Sequence, residues 1–248
     1  MIRGLVYWIF GLVMTFLLTI TVFICYPFIG KDSEFPHNVS RIWSRIALGF
    51  LCGVKLEVKG AENIKPDKNY IIVSNHRSYT DIFTASWAVP LQFRWLAKSS
   101  LFRMPFLGPA MRICGYIPIE REHSISASKS LDVTKKVLLK GRSVWIFPEG
   151  TRTPETVLGR FKRGAFLLAM ETGLPILPVV MVNTDKIFRT PLRIKPNRVT
   201  VIIFKPLYYS DFKASLSPPH GTSDKQALNE FSESIRKTIQ TGYDSHAT

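Results

Sequence analysis

The chain has 248 residues, enough to bury a real core and, once any membrane segment is set aside, most simply one domain. Its 46% hydrophobic content is ordinary, but 33 Lys and Arg against 18 Asp and Glu leave a net charge of +15, which suits nucleic acid, an anionic membrane surface or a phosphorylated substrate. Cys25, Cys52 and Cys114 are scattered in apolar contexts, so they argue against a disulfide framework or zinc site and fit a reducing compartment.

From Gly4 to Gly30 there is no charge, and this apolar run exceeds the ~20 residues a helix needs to cross a bilayer. A cleaved signal peptide has a shorter core and a small-residue cleavage site, and Cys25-Tyr26-Pro27-Phe28 offers neither. Tyr7, Trp8 and Tyr26 lie near its ends, as interfacial aromatics do, and the bland alternative is a buried core helix. Arg3 precedes the run, whereas Lys31, Arg41, Arg45 and Lys55 follow it. This bias predicts attachment to the inner membrane with the main domain on the cytoplasmic side. After Pro36, the spacing of Val39, Ile42, Trp43, Ile46, Ala47, Phe50 and Leu51 predicts an amphipathic helix, packed on the domain or lying in the headgroup layer. Residues 1–54 are thus a membrane-anchoring pair of helices, and a strand from Val54 to Lys59 opens the next region.

Tyr70 to Ser74 is short and β-branched and runs into polar turn residues, the pattern of a buried strand. It delivers His76 to its carboxyl end, where open α/β sheets bind ligands, five residues ahead of Asp81. Ser78 and Asp81 also form a capping box for the helix that begins near Tyr79. From this stretch alone, a catalytic histidine and one merely hydrogen-bonded in a turn are equally compatible.

A strand over Phe93–Lys98 ends on a lysine, and Leu101 to Ile113 reads as broken helix because of Pro105, Gly108 and Pro109. Gly115 to Arg121 alternates as a short strand ending in Glu120 and Arg121, and Ser124 to Leu139 returns to helical spacing. The strand Ser143–Phe147 empties into Pro148-Glu149-Gly150-Thr151-Arg152-Thr153. A glycine turn with exposed N–H groups and an arginine suits a phosphate, although a lone arginine in a turn is usually only solvated. A helix through Ala165–Met170 stops at Gly173, and Leu174–Val182 reads as a strand whose prolines mark its start or a sheet edge. Arg189, Arg193, Lys195 and Arg198 read as a loop, solvated or facing anionic lipid, before a strand over Val199–Phe204. Residues 55–212 form the candidate catalytic domain, and 213–248 a C-terminal helix with a flexible tail.

Four of these segments, in this order, resemble the glycerolipid acyltransferase family, specifically the 1-acyl-sn-glycerol-3-phosphate acyltransferases. The motif Asn-His-x-Ser-x-x-Asp matches Asn75 to Asp81, and Gly115 to Arg121 resembles the second motif, with Glu120 where Asp is frequent. Phe-Pro-Glu-Gly-Thr-Arg is present entire as Phe147 to Arg152, and the apolar Pro-x-x-Pro strand as Leu174 to Val179. The resemblance implies an α/β fold with a mixed central sheet flanked by helices, like glycerol-3-phosphate acyltransferase. It implies acyl transfer from acyl-CoA or acyl carrier protein to the sn-2 hydroxyl of lysophosphatidate, without metal or cofactor. In that reaction His76 is the general base, oriented by Asp81, while Arg152 with Glu149, Gly150 and Thr151 holds the glycerol phosphate, assisted by Arg121 and Lys98. Glu149 either bonds a glycerol hydroxyl or locks the loop.

Competing readings are an acyltransferase for another lysophospholipid, a hydrolase using Ser74 or Ser78, and a non-catalytic protein that binds anionic lipid. No Gly-x-Ser-x-Gly elbow supports the hydrolase. A nucleic-acid binder fits least, because the membrane segment already accounts for a basic flank.

Overall fold

The computed structural model describes residues 2–29, 33–120, 124–153, 157–190, 192–216 and 223–247; Lys31 and Arg121 lie outside them. In chain order the strands are β1 (Lys55–Lys59), β2 (Ile71–Ser74), β3 (Phe93–Lys98), β4 (Ile117–Ile119), β5 (Ser143–Ile146), β6 (Ile176–Val182), β7 (Phe188–Thr190), β8 (Arg193–Ile194) and β9 (Arg198–Ile203). Seven form one sheet in the order β1-β9-β6-β2-β5-β3-β4. Strands β6, β2, β5, β3 and β4 run parallel, β9 is antiparallel to β6, and β1 is parallel to β9. The mixed sheet flanked by helices is the architecture expected from the sequence.

The helices are α1 (Ile2–Cys25), α2 (Phe35–Arg45), which runs on as a π-helical turn over Ile46–Leu51, α3 (Thr80–Ala88), α4 (Leu107–Ile113), α5 (Ser124–Leu139), α6 (Gly164–Thr172), α7 (Tyr209–Ser215) and α8 (Asp224–Asp244). They cover both faces of the sheet, which is why the central strands read as continuous apolar runs. Ile71 and Val73 face one core with Phe166, Leu168 and Phe231; Tyr70 and Ile72 face the other with Phe93, Trp95 and Trp145. Helix α8, capped by Ser223 Oγ accepting from Gln226 N, buries Leu228, Phe231, Ile235 and Ile239 in the first core.

Two local expectations change. Strand β6 is interior, between β9 and β2, although Pro178 sits inside it. Pro178 pairs toward the end of the antiparallel ladder, its carbonyl accepting from Phe204 N at 3.0 Å, so the missing N–H falls where β9 has already ended. The basic stretch before β9 is not a plain loop but the β7–β8 hairpin, because Phe188 and Ile194 give it an apolar side to pack with Tyr7 and Val199.

Helix α1 is long and apolar enough to cross a membrane by length and composition. It lies along the domain. A Cβ at Gly4 would stand 2.1 Å from the Leu192 carbonyl oxygen, Tyr7 meets Phe188 at 5.2 Å between ring centroids, and Phe16 meets Phe106 at 5.8 Å. The side that bears Phe16 leaves Leu5, Ile9, Leu12, Val13 and Leu17 exposed.

Candidate active site

The site begins where β2 ends. Asn75 is fully buried and pairs with β6 through its side chain: Nδ2 donates to Met181 O at 2.8 Å and Oδ1 accepts from Met181 N at 2.9 Å. The side-chain amide thus replaces one rung of the sheet, freeing the backbone to turn and present His76. In the sequence it stands as the first residue of the Asn-His-x-Ser-x-x-Asp motif, with nothing to mark this pairing role.

His76 Nδ1 lies 2.8 Å from Asp81 Oδ2, and the same oxygen accepts Arg77 N at 2.7 Å and Ser78 N at 2.8 Å. Asp81 is fully buried in the first turn of α3, while 12% of the His76 side chain is exposed. A carboxylate is acceptor-only, so Nδ1 carries the proton and Nε2 is the nitrogen that can receive one. The capping box forms in modified register: Asp81 reaches back to Ser78 N, and Ser78 Oγ accepts from Thr80 N at 3.2 Å.

The loop after β5 holds this histidine from the other side. Phe147 stacks on the imidazole, Glu149 Oε1 accepts His76 N at 3.2 Å, and Thr153 N donates to His76 O at 2.8 Å. Glu149 Oε2 accepts Gly159 N at 3.1 Å, so both oxygens of this buried carboxylate hold backbone. Of the two roles open for Glu149, the geometry is that of the lock.

Gly150 takes φ 79, and a Cβ there would sit 2.8 Å from Lys162 Cε. The positive φ favours glycine, and without a Cβ the Lys162 stem crosses the turn with its ammonium beside Gly150. Lys162 was not singled out in the sequence, since Phe161-Lys162-Arg163-Gly164 carries no distinguishing pattern there. Arg152 stacks its guanidinium over Tyr79, 3.5 Å from the ring centroid, joining the two motif loops. Thr151 is exposed beside it. Lys98 ends β3 at the same carboxyl edge of the sheet, two strands from His76, and is exposed. Arg121 falls outside the described residues.

Chemically, the arrangement offers an imidazole whose Nδ1 is engaged by a carboxylate and whose Nε2 is left to accept a proton, beside a cationic glycine turn: groups suited to a hydroxyl and to an anionic group. The two serines have other duties. Ser74 is fully buried with Oγ accepting Trp145 Nε1 at 2.9 Å, and Ser78 serves the start of α3. No group of three metal-binding side chains occurs among the described residues.

The family model described as acyltransferase matches residues 55–182, more than half of the chain and the whole of this site. The chain belongs to the acyltransferase family. It is 32% identical over 216 residues to a chloroplastic 1-acyl-sn-glycerol-3-phosphate acyltransferase of Brassica napus, covering 84% of this chain and 62% of the relative. It is 40% identical over 141 residues to a 1-acyl-sn-glycerol-3-phosphate acyltransferase of Borreliella burgdorferi, 56% of each chain. Against the first of its curated relatives, this family member spans about six-tenths of their length. The crystal structure of PlsC, the 1-acyl-sn-glycerophosphate acyltransferase of Thermotoga maritima, shares the fold with a TM-score of 0.66 and 22% identity, over 96% of this chain and 97% of that one.

Proposed function

We propose that the protein transfers a fatty acyl group from a thioester donor, acyl-CoA or acyl carrier protein, to the sn-2 hydroxyl of 1-acyl-glycerol-3-phosphate, giving phosphatidic acid. His76 Nε2 takes the hydroxyl proton as the oxygen attacks the thioester carbonyl; the C–S bond breaks and the departing thiolate recovers that proton. Asp81 holds the tautomer and stabilises the imidazolium. Arg152, the Gly150-Thr151 turn and Lys162 take the phosphate, with Arg121 and Lys98 assisting. The observation that carries the reading is the His76–Asp81 pair at 2.8 Å, clamped by the same loop that bears Arg152. The names of the two relatives supply the acceptor.

Helix α1, lying along the domain with an apolar outer side, is read as inserting into one leaflet, and the net charge of +15 suits the anionic cytoplasmic leaflet. The test is product mass spectrometry with purified protein offered a panel of lysolipids and both donor types. Phosphatidic acid from lysophosphatidate is expected, with His76→Ala slower by roughly 10²- to 10⁴-fold at unchanged thermal stability. Undiminished transfer by His76→Ala overturns the base assignment, and preference for another lysolipid overturns the acceptor.

A further inference from the structure

We propose that the loop from Arg103 to Leu107 is a second membrane contact, a wedge that enters the headgroup layer of an anionic leaflet beside α1. It rests on the reading that α1 is inserted in the membrane. The loop presents Met104 at 47%, Phe106 at 63% and Leu107 at 37% exposure, three apolar side chains within four residues of a tight turn. A turn in water gains nothing by exposing them, and a lipid leaflet repays each one buried.

The loop is also built to hold them out. Phe106 adopts φ 60 and ψ −51, a backbone region that a bulky aromatic residue occupies only when its surroundings impose it. Those surroundings are tight: Gly108 N donates to Met104 O at 2.9 Å, Ala110 N to Phe106 O at 3.2 Å, and a Cβ on Gly108 would lie 2.2 Å from Phe102 O. The strain buys no packing in a core. It aims a phenyl ring outward.

Two observations name the occupant. Phe106 meets Phe16 of α1 edge-on at 5.8 Å, so the wedge continues the uncharged exposed side of that helix. Its rim is basic: Arg103 is 79% exposed in its side chain, with Glu120 at a loose 3.8 Å, and Arg112 is exposed one turn into α4. An apolar tip with cationic shoulders fits acyl chains below anionic phosphates. The loop follows β3, which runs parallel to β5 and β2, so it lies at the sheet edge that carries His76. A lysolipid acceptor then reaches the base without its chain leaving the leaflet.

To test this, p-benzoylphenylalanine is placed singly at position 12, 106 or 139 of the full chain, reconstituted in vesicles of phosphatidylcholine and phosphatidylglycerol. After irradiation, lipid adducts are read by mass spectrometry. Leu12 of α1 is 74% exposed; Leu139 is 64% exposed at the end of α5, at the opposite edge of the sheet. Adducts at 12 and 106 but not 139 are expected. Adducts at 12 alone overturn the wedge and leave the membrane reading of α1 standing. Adducts at none of the three overturn both, and adducts at 139 equal to those at 106 overturn the wedge as a specific surface. In a second arm, Met104→Ser/Phe106→Ser is expected to slow transfer to vesicle-borne lysophosphatidate by about tenfold, with a soluble short-chain acceptor within about twofold. Equal loss on both acceptors overturns the wedge.

Discussion

The imidazole of His76 lies nearly flat on the ring of Phe147, with centroids 3.9 Å apart and planes at 12°. The two residues belong to different motifs, 71 positions apart in sequence, and meet because β2 and β5 are neighbours in register, Val73 opposite Ile146. One face of the imidazole is thereby covered, and the ring is held against rotation about its hydrogen bond to Asp81. Phe147 in turn stacks on Trp95 at 5.6 Å, so the His76 ring leans on the aromatic core of the sheet.

Asp81→Asn tests how far the carboxylate serves chemistry beyond capping. Its Oδ2 now receives three donors, and an amide offers a weaker, neutral acceptor. We expect kcat to fall by about 10²-fold or more, and unfolding stability to fall by on the order of 2 kcal/mol. Steady-state kinetics with parallel denaturant melts separate the two. A stability loss with full kcat reduces Asp81 to a cap.

Glu149→Gln distinguishes a lock from a substrate contact. Glutamine has one acceptor oxygen where the carboxylate uses two, so either His76 N or Gly159 N loses its partner. For a lock, kcat drops about tenfold while KM for lysophosphatidate stays within about twofold. The reverse pattern, a raised KM at constant kcat, assigns Glu149 to the glycerol.

Arg152→Lys keeps the charge but loses the planar fork that stacks on Tyr79 and can bind phosphate through two hydrogen bonds. KM for lysophosphatidate should rise about tenfold, and transfer to the uncharged acceptor monoacylglycerol should be unaffected. An equal effect on both acceptors would show that Arg152 shapes the loop rather than reads the phosphate.

A pH effect on stability follows from His37 of α2, fully buried edge-on against Phe93. Burial first, then Arg94 and Arg41, push its imidazole down from 6.5 to about 4. The unfolded chain therefore binds more protons across that interval; the contribution is full above 6.5 and is lost as pH falls toward 4. His37→Leu should remove on the order of 2 kcal/mol of the stability lost between pH 6.5 and 4.5. Chemical denaturation at both pH values checks this, and identical pH dependence in the two proteins refutes it.

The sequence by itself determined most of the local structure and pointed to the candidate site residues. Short apolar runs with polar or turn residues after them placed β2, β3 and β5, helical spacing placed α5 and α8, and the pairing of His76 with Asp81 follows from five residues of turn and first helical turn. These are short-range matters of period, cap and turn, which each segment carries within itself. What joins segments far apart was decided only in the tertiary structure. Pro178 could be seated in the middle of the sheet because β9 arrives antiparallel and stops short. Glu149 is fixed where it is because two backbone N–H groups, from His76 and Gly159, converge on it. Lys162 reached the turn at Gly150 because that glycine leaves room. Each depends on how strands order themselves across a seven-stranded sheet, and that order is set by burying both faces together, a condition no single stretch of sequence contains.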